Sequence, residues 1–385
     1  MGPLNGFRVI ELAGIGPTPF GAMMLADMGA EVITVERQPG YPGMRPVDAT
    51  LRNRRSMVVN LKKPEGIELV LKLCERADAL IEGYRPGVAE RLGLGPDIVL
   101  ARNPKLVYAR MTGWGQDGPL AQSVGHDINY IAITGALEKM GRDAGRPVPP
   151  LNLVGDFGGG GMFVAFGIVC ALLEAQKSGK GQVVDANIVD GAATLMAYLY
   201  SFEKNNFFMP YKNRGSHLFG GSNHFYNTFE CADGKFVSVG ALEVQFYLDF
   251  IDRLGVDKTE FESQWLGSPD QDLSKIPALE QKVIGAFKTK TRDEWVTVFE
   301  GSNACFAPVL DIQEAAQYPH NVARKTFMEV DGLLQHSPAP RFSRTQAATP
   351  TVPRVAGEDT DAVLAGFGYS SEDIAGLRSS GVVAG

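Results

Sequence analysis

Residues 7–36, FRVIELAGIGPTPFGAMMLADMGAEVITVE, decide the fold. Residues 7–12 form an apolar run of strand length, 18–28 an apolar stretch of helix length, and 31–36 a second strand, which together read as a β–α–β unit. The pattern then repeats. Further strands are expected at 57–61, 78–82, 106–111 and 183–188, with helical stretches between them such as 64–76, where Pro64 suits a first helical turn. Strands alternating with helices imply a parallel sheet covered on both faces.

After about Leu199 the texture changes. Residues 204–223 are rich in Asn, Gly and aromatic residues without a clear period, as a crossing linker would be. Residues 225–230 and 235–239 flank Ala232-Asp233-Gly234, a hairpin signal, and helices are expected at 244–254, 279–288 and 292–300. The expected architecture is α/β, with a large doubly wound, Rossmann-like parallel-sheet domain over 1–199 and a linker over 200–224. A smaller α+β domain covers 225–317, and a Pro-rich linker and C-terminal segment over 318–385 returns to the large domain.

At 385 residues and 44% hydrophobic composition the chain can bury a large core. Its net charge of −7 gives no global attraction for nucleic acid or an anionic membrane, so a phosphate-bearing ligand needs local arginines. The apolar run 162–173 is shorter than the roughly 20 residues of a membrane helix and reads as a core helix, so no membrane insertion is expected. No signal peptide is evident, and the cytoplasm is the expected compartment. The four cysteines form no CxxC pair and the five histidines no HxxxH, so neither a disulfide framework nor a metal site is expected.

Five places could carry chemistry. The loop Ala13-Gly14-Ile15-Gly16-Pro17 allows close backbone approach, but a dinucleotide fingerprint needs glycine where Pro19 stands, which argues against a nicotinamide cofactor. Basic residues recur after strands: Arg37, Arg52, Arg54, Arg55, Lys62, Arg85 and Arg91. Ligands bind beyond the carboxyl ends of strands in an open parallel sheet, so Arg37, Lys62 and Arg85 could converge on phosphates, although any one alone is commonly a solvated charge. His126 follows a long glycine-rich loop, 111–119, and opens a helix; a lone histidine is usually structural, but such loops are where functional side chains are placed. Asp156 reads as a helix N-cap, and the four glycines 158–161 after it imply that something approaches this helix start closely. A thioester oxygen gaining negative charge would suit it. Glu243 stands at the junction of the hairpin and the first helix of the small domain, where a first-turn acid is common.

These residues occur within longer strings: Val9-Ile10-Glu11-Leu12-Ala13-Gly14, Leu51-Arg52-Asn53-Arg54-Arg55, 81–88, 111–118, 125–130, 149–160 and 338–344. In order, and over nearly the whole length, they resemble the α-methylacyl-CoA racemases of the family III CoA-transferase superfamily. The resemblance implies that His126 and Asp156 are the two catalytic bases and that Glu243 is an auxiliary glutamate, although Val244 stands where proline is expected after it. Arg37, Val59, Asn60, Leu61, Lys62, Gly83, Tyr84, Arg85, Arg91, Gly125, Asp127 and Tyr130 would bind the CoA part of an acyl-CoA thioester. It also implies an interlocked homodimer with active sites between subunits, a role in fatty-acid and lipid metabolism, and no cofactor: no metal, nicotinamide or flavin.

The chemistry of the residues agrees. Inverting a carbon centre without a redox cofactor needs a base on each face, one taking and one giving the proton, across an enolate. The alternative is a CoA-transferase in which Asp156 attacks the thioester as a covalent nucleophile. Such transferases resemble the motif with an aromatic residue in place of His126.

Overall fold

Val9, Ile10 and Leu12 are fully buried because β1 (Arg8–Leu12) lies in the middle of a sheet with helices on both sides. The computed structural model describes residues 2–37, 48–142, 145–205, 211 and 213–385, so residues 206–210 and 212 of the expected linker lie outside the described residues. Among these, β1 pairs in parallel with β2 (Glu31–Glu36) and β4 (Ala79–Glu82). Outward from them, β2 pairs with β3 (Arg54–Val59), β4 with β5 (Val107–Thr112), and β5 with β6 (Val183–Asn187), all parallel. The order β3-β2-β1-β4-β5-β6 is doubly wound and reverses between β1 and β4, where such sheets hold ligands.

Five helices matter for the site: α1 (Pro17–Asp27), α2 (Pro64–Cys74), α3 (Asp127–Ile133), α4 (Met162–Ser178) and α5 (Ile188–Leu195). The side chains of successive strand residues point to opposite faces. Thus Val9, Val32, Ile81 and Val107 meet Ala22, Leu25, Val164 and Ile168 on one side. Ile10, Leu12, Ile33 and Leu80 meet Leu69, Val70 and Leu73 on the other. Residues Leu153–Ser178 form one helical stretch of 26 residues, long and apolar enough to cross a membrane and longer than the run 162–173 suggests. Val164, Ile168 and Leu172 bury one side of it in the core beside the sheet, as expected of a core helix.

Strand β3 begins three residues before its expected start because its polar residues are satisfied internally. Arg54 pairs with Glu11 at 2.6 Å, and the Ser56 hydroxyl donates to Glu36. Arg52 is fully buried: its guanidinium donates to both oxygens of Asp27, at 3.0 and 2.5 Å, and to Gln335 and the His336 carbonyl at 2.6 and 2.8 Å. These last bonds fix the hairpin β10 (Phe327–Val330) and β11 (Leu333–His336) to the rest of its unit. Strand β12 (Val383–Ala384) then adds antiparallel to β3, and Ser56 receives the Gly357 N–H at 2.9 Å.

The chain divides into two compact units, Met1–Thr134 with Pro150–Leu195 and Ala323–Gly385, and Gly135–Pro149 with Met196–Val322. Residues 135–149, expected in the large domain, go with the second unit because Arg214 donates to the carbonyls of Glu138 and Gly145 at 2.7 and 2.8 Å. Much of the expected linker 200–224 also belongs to that unit, where Phe202, Tyr211 and Leu218 are core residues. The second unit holds an antiparallel sheet of β7 (Tyr226–Glu230), β8 (Phe236–Gly240) and β9 (Phe306–Pro308). An aromatic core of Phe229, Phe250, Phe287, Trp295 and Phe299 packs with them, and α6 (Val244–Leu254) supplies Phe250.

Removing one partner of a buried ion pair leaves an uncompensated charge, which typically costs about 3–5 kcal/mol. Arg52→Met, which leaves Asp27 unpaired, is therefore expected to lower the urea midpoint strongly, whereas Arg102→Ala, which breaks exposed pairs with Glu68 and Glu75, leaves it nearly unchanged. Equal midpoints for the two variants would contradict a structural role for Arg52.

Candidate active site

The parallel strands end on one edge, and the loops there carry most of the candidate residues. Arg37 follows β2, residues 60–62 follow β3, residues 83–85 follow β4, and a long loop runs from β5 to His126. Arg37, Lys62, Arg85 and Arg91 are exposed. Burial, and then the Glu82 carboxylate, raise the Tyr84 hydroxyl above its usual range, while the charge of Arg37 works in the other direction. Gly83 is required where it stands, because a Cβ would lie 2.6 Å from the Thr18 hydroxyl.

Three of the basic residues turn away from this role. Arg52, Arg54 and Arg55 are committed to Asp27, Glu11 and Glu31. The Val59 side chain is wholly within the core, and Leu61, part-exposed, packs against it. Asn60 accepts the Lys62 N–H at 3.1 Å, shaping the turn.

His126 caps α3 and is exposed; its N–H donates to the Asn129 side chain at 3.0 Å. The Tyr130 ring wedges behind it. A Cβ on Gly113 would sit 2.1 Å from that ring and one on Gly125 2.8 Å from it, and the Tyr130 hydroxyl donates to the Gly125 carbonyl. Trp114 meets Tyr130 edge-on at 4.7 Å. Gly125 and Tyr130, expected to contact CoA, thus also build the wall behind His126. A cavity of about 530 Å³ adjoins it, lined by Trp114, Leu120, Val124, His126 and Ile133.

Asp156 is not the N-cap its sequence suggests. The helical segment begins at Leu153 with Asn152 as cap, and its turns are wider than those of an α-helix through Gly161. Asp127, expected at CoA, turns its carboxylate inward and accepts the Asp156 N–H at 2.7 Å and also that of Gly155. Those two donors are therefore taken and do not await a thioester oxygen. Burial first, and then the Asp127 charge, raise the Asp156 carboxyl above its usual range; a hydrogen bond from Asn152 and the charge of His126 lower it. Gly16, at φ 64°, lets the Asp156 carboxylate come within 3.3 Å of where a Cβ would be.

The structure thus gathers His126, Asp127, Tyr130 and Asp156, with Gly16 and Asn152 beside them. Asn152 was not singled out in sequence; its signal was a side-chain amide one helical turn before the aspartate. Glu243 lies in the other unit, exposed, as the N-cap of α6; burial and then its charge raise the Cys305 thiol. The glycine run has a packing cause rather than a ligand. Cβ atoms at Gly159, Gly160 and Gly161 would lie 2.7 Å from the Ala192 nitrogen, 2.8 Å from Pro17 and 2.6 Å from Phe20. Among the described residues no His, Cys, Asp and Glu group is arranged to hold a metal.

The model for CoA-transferase family III matches residues 4–360. The chain belongs to CoA-transferase family III. The mouse Alpha-methylacyl-CoA racemase is 42% identical, over 99% of this chain and 97% of its own. The human Alpha-methylacyl-CoA racemase is 40% identical with the same coverage. Likeness of that extent marks this family III protein as an enzyme, and an isomerase. A CAIB/BAIF family protein from Brucella suis shares the fold, with a TM-score of 0.81 at 23% identity over 95% of this chain and 99% of its own.

The glycine packing is directly testable. A Cβ at Gly191 would lie 1.8 Å from the Gly159 carbonyl oxygen, so Gly191→Ala should cost at least the roughly 1–3 kcal/mol of an overpacked core. Gly285→Ala, in an open helical position, should instead gain roughly 0.4–1 kcal/mol. Urea denaturation that ranks them the other way would refute the packing account.

Proposed function

We propose that the protein inverts the C2 centre of 2-methyl-branched acyl-CoA thioesters by 1,1-proton transfer through an enolate, with His126 and Asp156 as opposed bases. The observation that carries the reading is the pairing of an exposed imidazole with a carboxyl whose proton affinity is raised by burial and by Asp127. Starting from neutral His126 and protonated Asp156, the imidazole takes the C2 proton from one face and the carboxyl gives its proton to the other. The resulting imidazolium and carboxylate attract one another, and the reverse transfer uses the same two groups.

The exposed Arg37, Lys62, Arg85 and Arg91 would hold the CoA phosphates, and the apolar cavity beside His126 suits part of an acyl chain. Glu243 is assigned an auxiliary role, and the reaction uses no metal, nicotinamide or flavin. Helix α4 supports a homodimer: Met162, Phe166 and Leu173 are 47, 67 and 55% exposed along it, beside the edge strand β6 with exposed Val183. So much apolar surface on one helix favours cover by a second copy, which would complete each active site. The cytoplasm and branched-lipid metabolism fit the four free cysteines and this substrate class.

A 2-methylacyl-CoA bearing fluoride at C3 separates the two bases, because its enolate expels fluoride without reprotonation. His126→Ala should lose racemisation by about 10²–10⁴-fold, the usual worth of a general base, yet release fluoride preferentially from the (R) substrate. Asp156→Ala should prefer (S), since the resemblance assigns the (S) proton to His126 and the (R) proton to Asp156. Equal release from both enantiomers by His126→Ala, or racemisation at the parent rate, would remove His126 from the mechanism. Hydroxylamine trapping of an acyl group or CoA on Asp156 would favour the transferase reading.

A further inference from the structure

Asp127 is the residue directly after His126, yet its carboxylate is buried and directed at the peptide that carries Asp156, nearly thirty residues away in the chain. The Asp156 N–H donates to Oδ1 at 2.7 Å and the Gly155 N–H donates to the same carboxylate. The approach is so close that a Cβ on Gly155 would stand 2.1 Å from Oδ1 and 3.1 Å from the side chain of Ile131, on the same helix as Asp127. A carboxylate suits two converging N–H donors, because it accepts only and gains strength from its charge. Its grip joins the short helix behind His126 to the wide helical turn bearing Asp156.

We infer that Asp127 is a positioning residue for the proton transfer: by gripping the Gly155 and Asp156 amides it fixes the Asp156 carboxyl relative to His126. The inference rests on the racemase reading for its chemistry and on the clamp for its geometry. The groups that face Asp156 define a second consequence. His126, Asp127 and Tyr130 face it from α3 and its cap, while α1 brings Gly16 and its own segment brings Asn152, both uncharged; α5 meets the far side of the segment through Gly191 and Ala192. Asp127 is thus the anion that disfavours ionisation of Asp156, and removing its charge lowers the proton affinity of the pair's carboxyl.

Asp127→Asn keeps an acceptor oxygen without the charge, and Asp127→Ala removes both. For each, and for the parent, kcat and KM for C2 deuterium exchange of a 2-methylacyl-CoA are measured across pH, with amide hydrogen exchange over residues 150–160. Misplacing one reacting group by about 1 Å can cost about 10²-fold, so Asp127→Ala should lose kcat on that scale with KM near the parent value. Its 155–156 amides should exchange faster. Active species carry one proton across the His126–Asp156 pair, so the acid limb of the profile belongs to the pair and not to either group, and lowering the carboxyl's proton affinity in Asp127→Asn should move that limb to lower pH. A structural role alone would lower the amount of folded enzyme and leave that limb in place. An unmoved limb with parent kcat in Asp127→Asn, or unchanged amide exchange in Asp127→Ala, would overturn the inference. A parent that exchanges no C2 proton rejects the racemase reading itself, while the amide exchange still reports on the clamp.

Discussion

The site depends on a constraint of space at residues 155–161, where backbones approach until no side chain fits between them. Gly159 lies against α5 and Gly160 and Gly161 against α1, while Gly155 leaves room for the Asp127 carboxylate. Interiors pack as densely as organic crystals, so a segment held this way on several sides has little freedom to shift. Asp156 rides on that segment. Its place beside His126 is accordingly a property of the packed backbone more than of its own rotamer, and the wide turns of the segment allow its amide to point at Asp127.

Burial that is useful for packing also tunes the chemistry. The carboxyl of Asp156 is withdrawn from water on the same surface that receives the Asp127 charge, and both effects favour its protonated form. His126 is exposed and bordered by an apolar cavity. A half-buried carboxyl and an exposed imidazole thus stand in different surroundings within one site. Elsewhere in the same unit the buried arginines do structural work: Arg52 and Arg54 hold α1, β1 and the C-terminal hairpin together.

Much of the fold was legible because strand length, apolar runs and Gly/Pro breaks repeat with the period of β–α–β units. β1, β2 and α6 fall within a residue or two of their expected positions. What was not legible follows from partners distant in sequence. The start of β3 depends on Glu11 and Glu36 accepting from Arg54 and Ser56, and no local pattern announces that a strand can carry a buried arginine. Residues 135–149 join the second unit through Arg214, more than sixty residues away. The hairpin of β10 and β11 had a local signal, Asp331-Gly332, both at positive φ, lost within a stretch read as Pro-rich linker. At the site, His126 and Asp156 stood out in the sequence by their glycine-rich surroundings, whereas the bond of the Asp127 carboxylate to the Asp156 amide joins residues far apart in the chain and no local pattern announces it. The glycine run was read as room for a ligand, and helices fill that room.

The central claim is that the carbon next to the thioester, not the thioester bond, is where this enzyme acts. The most direct measurement incubates the parent protein in D2O with one enantiomer of a 2-methylacyl-CoA and an isotopically labelled carboxylate, and follows deuterium at C2 together with label in the acyl-CoA pool. The account predicts deuterium entering C2 as the opposite enantiomer appears, with no labelled acyl-CoA formed. Labelled acyl-CoA accumulating while C2 keeps its proton would contradict it.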